Sequence, residues 1–334
     1  LGLESEGPFT DFQGGVNAYL YGTRFMSYLA MTRSPEQVVE WLKRGPDSEG
    51  YYALQFHKVF GKPLDEIWNE WIAFEHEFQR ANLDSVRKFP TTPTKRITEQ
   101  GLGAVSRAYY NPHSDSLVGG FRYPGVIAHI GELSLKDGKL RRLEDIKGSM
   151  GYRVTSLAYD PQSNTAWYTT DNYAYRDVME IDIASGDTKM LIEDGRIGDL
   201  VFDKADRTLW GLRHLNGFVT LVRMDAPYEK WTQIHTWPYG QVPFDIDISP
   251  NGELLSMSFG KINAEQSVRV FRLKDLALDK ADDIAHFEFG TSVPEGFVFS
   301  SDGRYLYGSA YYTGVSNIYR FEIATNKIEA VSNA

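Results

Sequence analysis

The sequence predicts a mainly β chain built on a repeated four-stranded unit, with a small all-α segment ahead of it. Three observations carry that reading. A strand–turn–strand pattern recurs five times from residue 103 onward. The chain is rich in aromatics and glycine (20 Tyr, 19 Phe, 7 Trp and 30 Gly), which suits strands joined by many turns. Residues 1–84 lack the repeat and place apolar residues at helical spacing instead.

Composition bounds the function. The length of 334 residues suggests two domains, and 42% hydrophobic with 24% charged residues is ordinary globular composition. A formal net charge of −10, from 35 Lys+Arg against 45 Asp+Glu, argues against sequence-independent binding to DNA or RNA. No run is long and apolar enough for a membrane span. With no cysteine, disulfides, thiolate metal sites and cysteine nucleophiles are excluded. Leu1 is followed by no basic and apolar leader, so the chain reads as a mature or trimmed piece of something longer.

The helical domain is expected over 1–84, with a linker over 85–93. Val16, Tyr19, Leu20, Met26 and Leu29 form the first apolar stripe. Ser34-Pro35-Glu36-Gln37 predicts a capped start, and the next helix is expected to bury Val38, Val39 and Leu42 and to stop at Gly45-Pro46. A third helix holds Ala53, Phe56 and Phe60, with Gly61 as its C-terminal cap. The fourth is expected from Pro63 to about Arg80, with Leu64, Ile67, Trp68, Trp71, Ile72 and Phe78 as a broad stripe. That stripe is wide for so few partners and predicts packing on something outside this segment.

From residue 103 each unit opens with a strand and a polar turn: Ala108–Pro112, Leu157–Pro161, Leu200–Lys204, Ile246–Pro250 and Phe297–Ser301. The last residues of these stand 49, 43, 46 and 51 residues apart. Three further strands follow in each unit, as in Thr165–Thr169, Val178–Ile183 and Thr188–Ile192. Asn251-Gly252 and Asp302-Gly303 supply tight hairpins. Four short strands per ~45 residues is the period of a β-propeller blade. Blades are expected near 103–147, 152–195, 196–238, 242–290 and 293–333, within a propeller spanning 94–334. Thr94–Gly101 matches Thr188–Gly195, the outer strand and link of the second unit. Residues 94–100 are therefore expected as an outer closing strand, and the ring as completed by chain beyond these residues, because an open edge exposes unpaired backbone.

The repeats, above all Phe297-Val298-Phe299-Ser300-Ser301-Asp302-Gly303-Arg304-Tyr305-Leu306-Tyr307, resemble the TolB-like, WD-repeat-like propellers of bacteria over residues 94–334. The helical segment resembles a second family. Tyr19-Leu20-Tyr21-Gly22 with Phe25 and Tyr28-Leu29, and Phe60–Trp68 followed by Trp71, are similar to the C-terminal helices of peptidase-MA-like (gluzincin) zinc peptidases. That family carries its zinc on an HExxH helix upstream and often joins to a TolB-like propeller. Here the nearest string is His76-Glu77-Phe78-Gln79-Arg80, with Arg80 where the second His would stand. Two His four apart put both imidazoles on one helical face, so no zinc or other cofactor is expected in this chain, only in a parent with an upstream HExxH. The resemblance implies the non-catalytic part of a bacterial, periplasmic or extracytoplasmic protein.

The seven His show no metal-ligand spacing, and no G-x-S-x-G elbow or phosphate loop occurs. Aligning the blades puts Arg107, Ser156, Asp199, Asp245 and Gly296 in one column, preceded by Ser106, Thr155, Gly198, Phe244 and Glu295. Arg107, Asp199, Asp245 and Glu295 are the candidate binding residues of the channel mouth, for a cation or a basic peptide end; strand-start turns held by local hydrogen bonds are the alternative. Tyr173, Tyr175, Arg176, Tyr311 and Tyr312 are candidate interface residues, with inter-blade packing as the alternative. The reading is a module that binds a protein or peptide, or a remaining part of its own chain. The alternative is a stand-alone hydrolase or lyase with its site in the central channel.

Overall fold

The computed structural model describes residues 12–99, 101–123, 125–148, 154–171 and 175–333. The chain forms two units, Leu1–Pro90 and Thr91–Ala334.

The first unit holds helices α1 (Phe12–Thr32), α2 (Pro35–Leu42), α3 (Tyr52–Phe60) and α4 (Leu64–Val86). The Ser34 hydroxyl caps α2 by accepting from the Gln37 N–H, and Pro35 opens the first turn. Gly61 closes α3 in the left-handed conformation. The core is aromatic: Phe25, Trp41, Phe56 and Trp71 are buried with Leu29 and Ile67. The stripe read from sequence needs correction at several positions. Tyr19, Leu20, Val39, Leu42 and Phe78 are exposed, whereas Trp41 is buried and donates to the Tyr52 carbonyl. In the eight-residue α2, the large Trp41 takes the inward face in place of Val39 and Leu42. The side chain of Val16 lies outside the described residues.

The second unit is five antiparallel sheets whose strands run in sequence order, the blades of a propeller ring. First strands of blades 2 and 3, 3 and 4, and 4 and 5 neighbour one another. Blade 3 shows the pattern, with strands Ile197–Asp203, Thr208–Leu215, Phe218–Met224 and Thr232–Thr236. The polar residue ending each first strand ties down its own turn: Asn111, Asp160 and Asp203 accept N–H groups two residues on, and Ser249 and Ser300 accept from residues five on. This local chemistry is what repeats in the sequence.

The first strands are interrupted at one shared column. In blades 3, 4 and 5 the ladder register shifts at Gly198/Val201, Phe244/Asp247 and Glu295/Val298. Asp199, Asp245 and Gly296 sit inside these bulges with positive φ. In blade 1 the strand is split into Ala104–Val105 and Tyr109–Asn111, and Arg107 lies in the gap.

Residues 94–99, expected as part of an outer closing strand, form no strand; Gln100 lies outside the described residues. Instead the segment crosses between two blades. The Thr92 N–H donates to the Asn333 carbonyl after the last strand of blade 5, and the Asn333 N–H donates to Thr92 Oγ1. The Ile97 carbonyl lies against Gly138 in the outer turn of blade 1, where a Cβ would stand 2.2 Å from it.

Candidate functional site at the channel mouth

Arg107, Asp199, Asp245 and Glu295 all line one central cavity of about 730 Å³. The fold therefore brings together four residues that are far apart in sequence. Two of them also brace the ring. Arg107 Nη1 crosses from blade 1 to blade 4, donating to the Ile246 carbonyl at 2.8 Å and lying 3.5 Å from Asp247 Oδ1. Burial works against the Arg107 charge, but Tyr109, Asp247 and Asp245 outweigh it and hold the guanidinium protonated. Burial also pushes the Asp247 carboxyl above its ordinary value, against the pull of Arg107 and of the Phe299 N–H. Asp245 Oδ2 accepts from the Gly296 N–H at 3.1 Å, linking blades 4 and 5. Ser156 Oγ accepts from the Leu200 N–H at 2.6 Å, and Tyr109 Oη donates to the Leu157 carbonyl at 2.9 Å. Inner-strand side chains of blades 1, 2 and 4 thus complete backbone hydrogen bonds of other blades.

The column two residues further on held a signal that sequence reasoning missed. It runs Tyr109, Ala158, Val201, Asp247 and Val298, so a tyrosine and an aspartate interrupt an apolar column. Both stand beside Arg107, together with Asp245.

A second pocket of about 690 Å³ forms the mouth and shares Asp171, Arg176 and Asp199 with the central cavity. One wall is apolar, made by Val242, Pro243, Phe244 and Val293; the other carries Tyr175, Arg176, Arg196 and His214. The polar wall is tied together through the backbone. The Arg196 N–H donates to the Arg176 carbonyl, and the His214 N–H donates to the Arg196 carbonyl, both at 3.0 Å. The turn before Arg196 is pinned by the buried Asp177, whose Oδ1 accepts from the Asp194 N–H at 2.7 Å. Asp194, Arg196 and Asp199 all have positive φ, a cost of roughly 1 kcal/mol or more each that local bonding must offset.

The interface candidates separate. Tyr175 and Arg176 join the mouth, with the Arg196 guanidinium stacked 3.3 Å from the Tyr175 ring centroid. Tyr311 and Tyr312 follow the second strand of blade 5, at a different part of the rim. Tyr311 is exposed, while Tyr312 packs edge-on against Phe287 and Phe289. Tyr173 lies outside the described residues. Sequence reasoning did not find Arg196 or His214, because three strand ends from two blades must meet before they share a wall. Among the described residues, no three His, Asp or Glu side chains gather as a metal ion requires.

No protein-family model and no curated protein matches the chain. Solved structures do. A chain of a nidogen/laminin complex matches with TM-score 0.53 and 13% identity, covering 70% of this chain and 81% of that one. A protein assigned as TolB from Agrobacterium tumefaciens gives TM-score 0.53 and 11% identity, covering 70% and 83%. TolB from Acinetobacter baumannii gives 0.48 and 12%, covering 70% and 53%. At such identities the likeness speaks for the fold alone: the chain carries a β-propeller.

Proposed function

We propose that this chain is the binding, non-catalytic part of a larger extracytoplasmic protein, and that its propeller holds a protein or peptide segment at the channel mouth. One observation carries the reading. The mouth is a pocket of about 690 Å³ lined by apolar residues of blade 4 and polar residues of blades 2 and 3, the mixed lining that orients a ligand and suits an extended peptide.

The helical unit stands in this reading for the C-terminal helices of a gluzincin-like peptidase, on the strength of the Tyr19–Leu29 and Phe60–Trp71 segments. Those residues do not fit a zinc ion. Arg80 replaces the second His of the required pair on α4, so zinc chemistry belongs only to a parent carrying HExxH upstream. The extracytoplasmic location rests on the same resemblance.

The test is a mixed library of 12-residue peptides presented to the purified chain, with hydrogen exchange on the complexes. Peptides are expected to bind in the micromolar range and to protect residues 175–176, 196–199 and 241–244. A library without a binder, or protection confined to other surfaces, overturns the reading.

A further inference from the structure

The mouth holds two guanidinium groups with unused donors. Among the described residues, neither the Arg176 nor the Arg196 side chain donates a hydrogen bond. Arg196 is stacked on Tyr175, which fixes the plane of its guanidinium and leaves its N–H edges open. The nearest carboxylate contact of Arg176 is Asp171 Oδ1, 3.8 Å from Nε, beyond hydrogen-bond reach. Arg176 also lies on the backbone of blade 3: a Cβ at Gly198 would stand 2.3 Å from its Nη1. Only glycine leaves the guanidinium that place.

The surroundings set the ligand's charge. Asp171 and Asp199 line the same pocket, so the wall is close to neutral overall. A polyanion gains little there, whereas a single carboxylate can engage both arginines. Across the pocket stand Val242, Phe244 and Val293, which suit an apolar side chain next to that carboxylate.

We infer that the mouth binds the C-terminal end of a peptide, with Arg176 and Arg196 holding the terminal carboxylate and the Val242–Phe244 wall taking the last, apolar side chain. This rests on the peptide-binding reading above and names its ligand. The positive φ of Arg196, the bond of its N–H to the Arg176 carbonyl and the hold of Asp177 on the Asp194 N–H then serve to preorganise the carboxylate site.

The experiment uses fluorescence polarisation with the labelled hexapeptide Gly-Ser-Gly-Ala-Leu-Phe as its free acid and as its carboxamide. The free acid is expected to bind about tenfold to a hundredfold more tightly, the scale of hydrogen bonds to a charged group. Arg176→Gln and Arg196→Gln should each remove most of that difference, weakening the free acid far more than the carboxamide. Gly198→Ala should weaken the free acid alone by displacing Arg176. Arg176 is exposed, Arg196 half-buried and Gly198 buried, and the melting temperature of each variant shows whether it folds. Equal binding of acid and carboxamide, unaffected by the arginine variants, overturns the inference and leaves the peptide-binding reading standing. If the hexapeptides and the 12-residue library all fail to bind, both fall. Competition by N-acetylphenylalanine as strong as that of the hexapeptide overturns the peptide assignment in favour of a small carboxylic acid.

Discussion

The junction between blades 4 and 5 and the junction between blades 5 and 1 use opposite faces of the same sheet, and they are built differently. Toward blade 4, blade 5 presents Leu306, Tyr319 and Phe321, buried against Val268, Val270 and Phe289. Toward blade 1 it presents Tyr307, Ser309 and Ile318, which line the central cavity, and Ile318 is 50% exposed. Comparable apolar clusters join blades 1 to 2, 2 to 3 and 3 to 4; among the described residues none joins 5 to 1. Blade 1 fills its own outer-facing side. The Phe121 ring lies across Gly119 and Gly131, within about 3.2 to 3.7 Å of where their Cβ atoms would stand. Among the described residues, the segment tied to blade 5 by the Thr92–Asn333 hydrogen bonds reaches blade 1 at Gly138. Among the described residues, packing thus holds four junctions, whereas the fifth has a backbone strap and no apolar cluster.

The largest effect that sharpens this contrast is expected at Phe321, which is fully buried in the blade 4–5 cluster. Phe321→Ala should cost about 3–5 kcal/mol through lost transfer energy and the cavity left behind. Urea unfolding of the propeller transition measures it, and a loss below about 1 kcal/mol would show that this junction is not packing-dominated.

An intermediate effect is expected where a polar tie supplements packing, between blades 2 and 3. Arg207 donates two hydrogen bonds to Asp160, at 2.9 and 2.6 Å, and the Ser163 and Gln162 N–H groups add two more. Burial alone would raise the Asp160 carboxyl, but these donors lower it from 3.8 to about 2. A carboxyl lowered on folding contributes stability above its unfolded value and loses it as pH falls toward the folded one. Asp160→Asn should therefore cost about 1–2 kcal/mol at neutral pH, discounted because Arg207 is partly exposed. The gap to the parent should close between pH 3.8 and about 2. A difference that stays constant with pH would assign the loss to geometry rather than charge.

What was legible in the sequence follows the same division. The turns that tie themselves down, with Asn111, Asp160 and Ser249 accepting nearby N–H groups, repeat because their chemistry lies within a few residues. Blade number and the Arg107–Asp199–Asp245–Glu295 column could be read from that repeat. The cross-ring brace of Arg107 to Asp247 spans 140 residues, and no local pattern announces such a partner. The mouth needed Arg176, Arg196 and Gly198 from two blades, and Gly198 reads in the sequence only as a small residue. Residues 94–100 read as a strand because 94–101 resembles a true outer strand and its link, 188–195. In blade 2 that segment follows the third strand and pairs with it, whereas 94–99 has no third strand before it.

The smallest effect is the one that most directly tests the seam. Ile318 and Phe321 lie three residues apart on one strand and point to opposite faces. Ile318→Ala should change unfolding free energy by no more than about 0.5 kcal/mol, the scale of a surface site, despite removing an apolar side chain from the propeller's interior-facing edge. A loss approaching that of Phe321→Ala would mean that blade 1 closes tightly on this face in solution. The strap would then be incidental, and all five junctions would share one construction. A small loss, with faster hydrogen exchange over Lys327–Ala330 than over the strands of blade 3, would show that the ring opens first where hydrogen bonds alone span the gap.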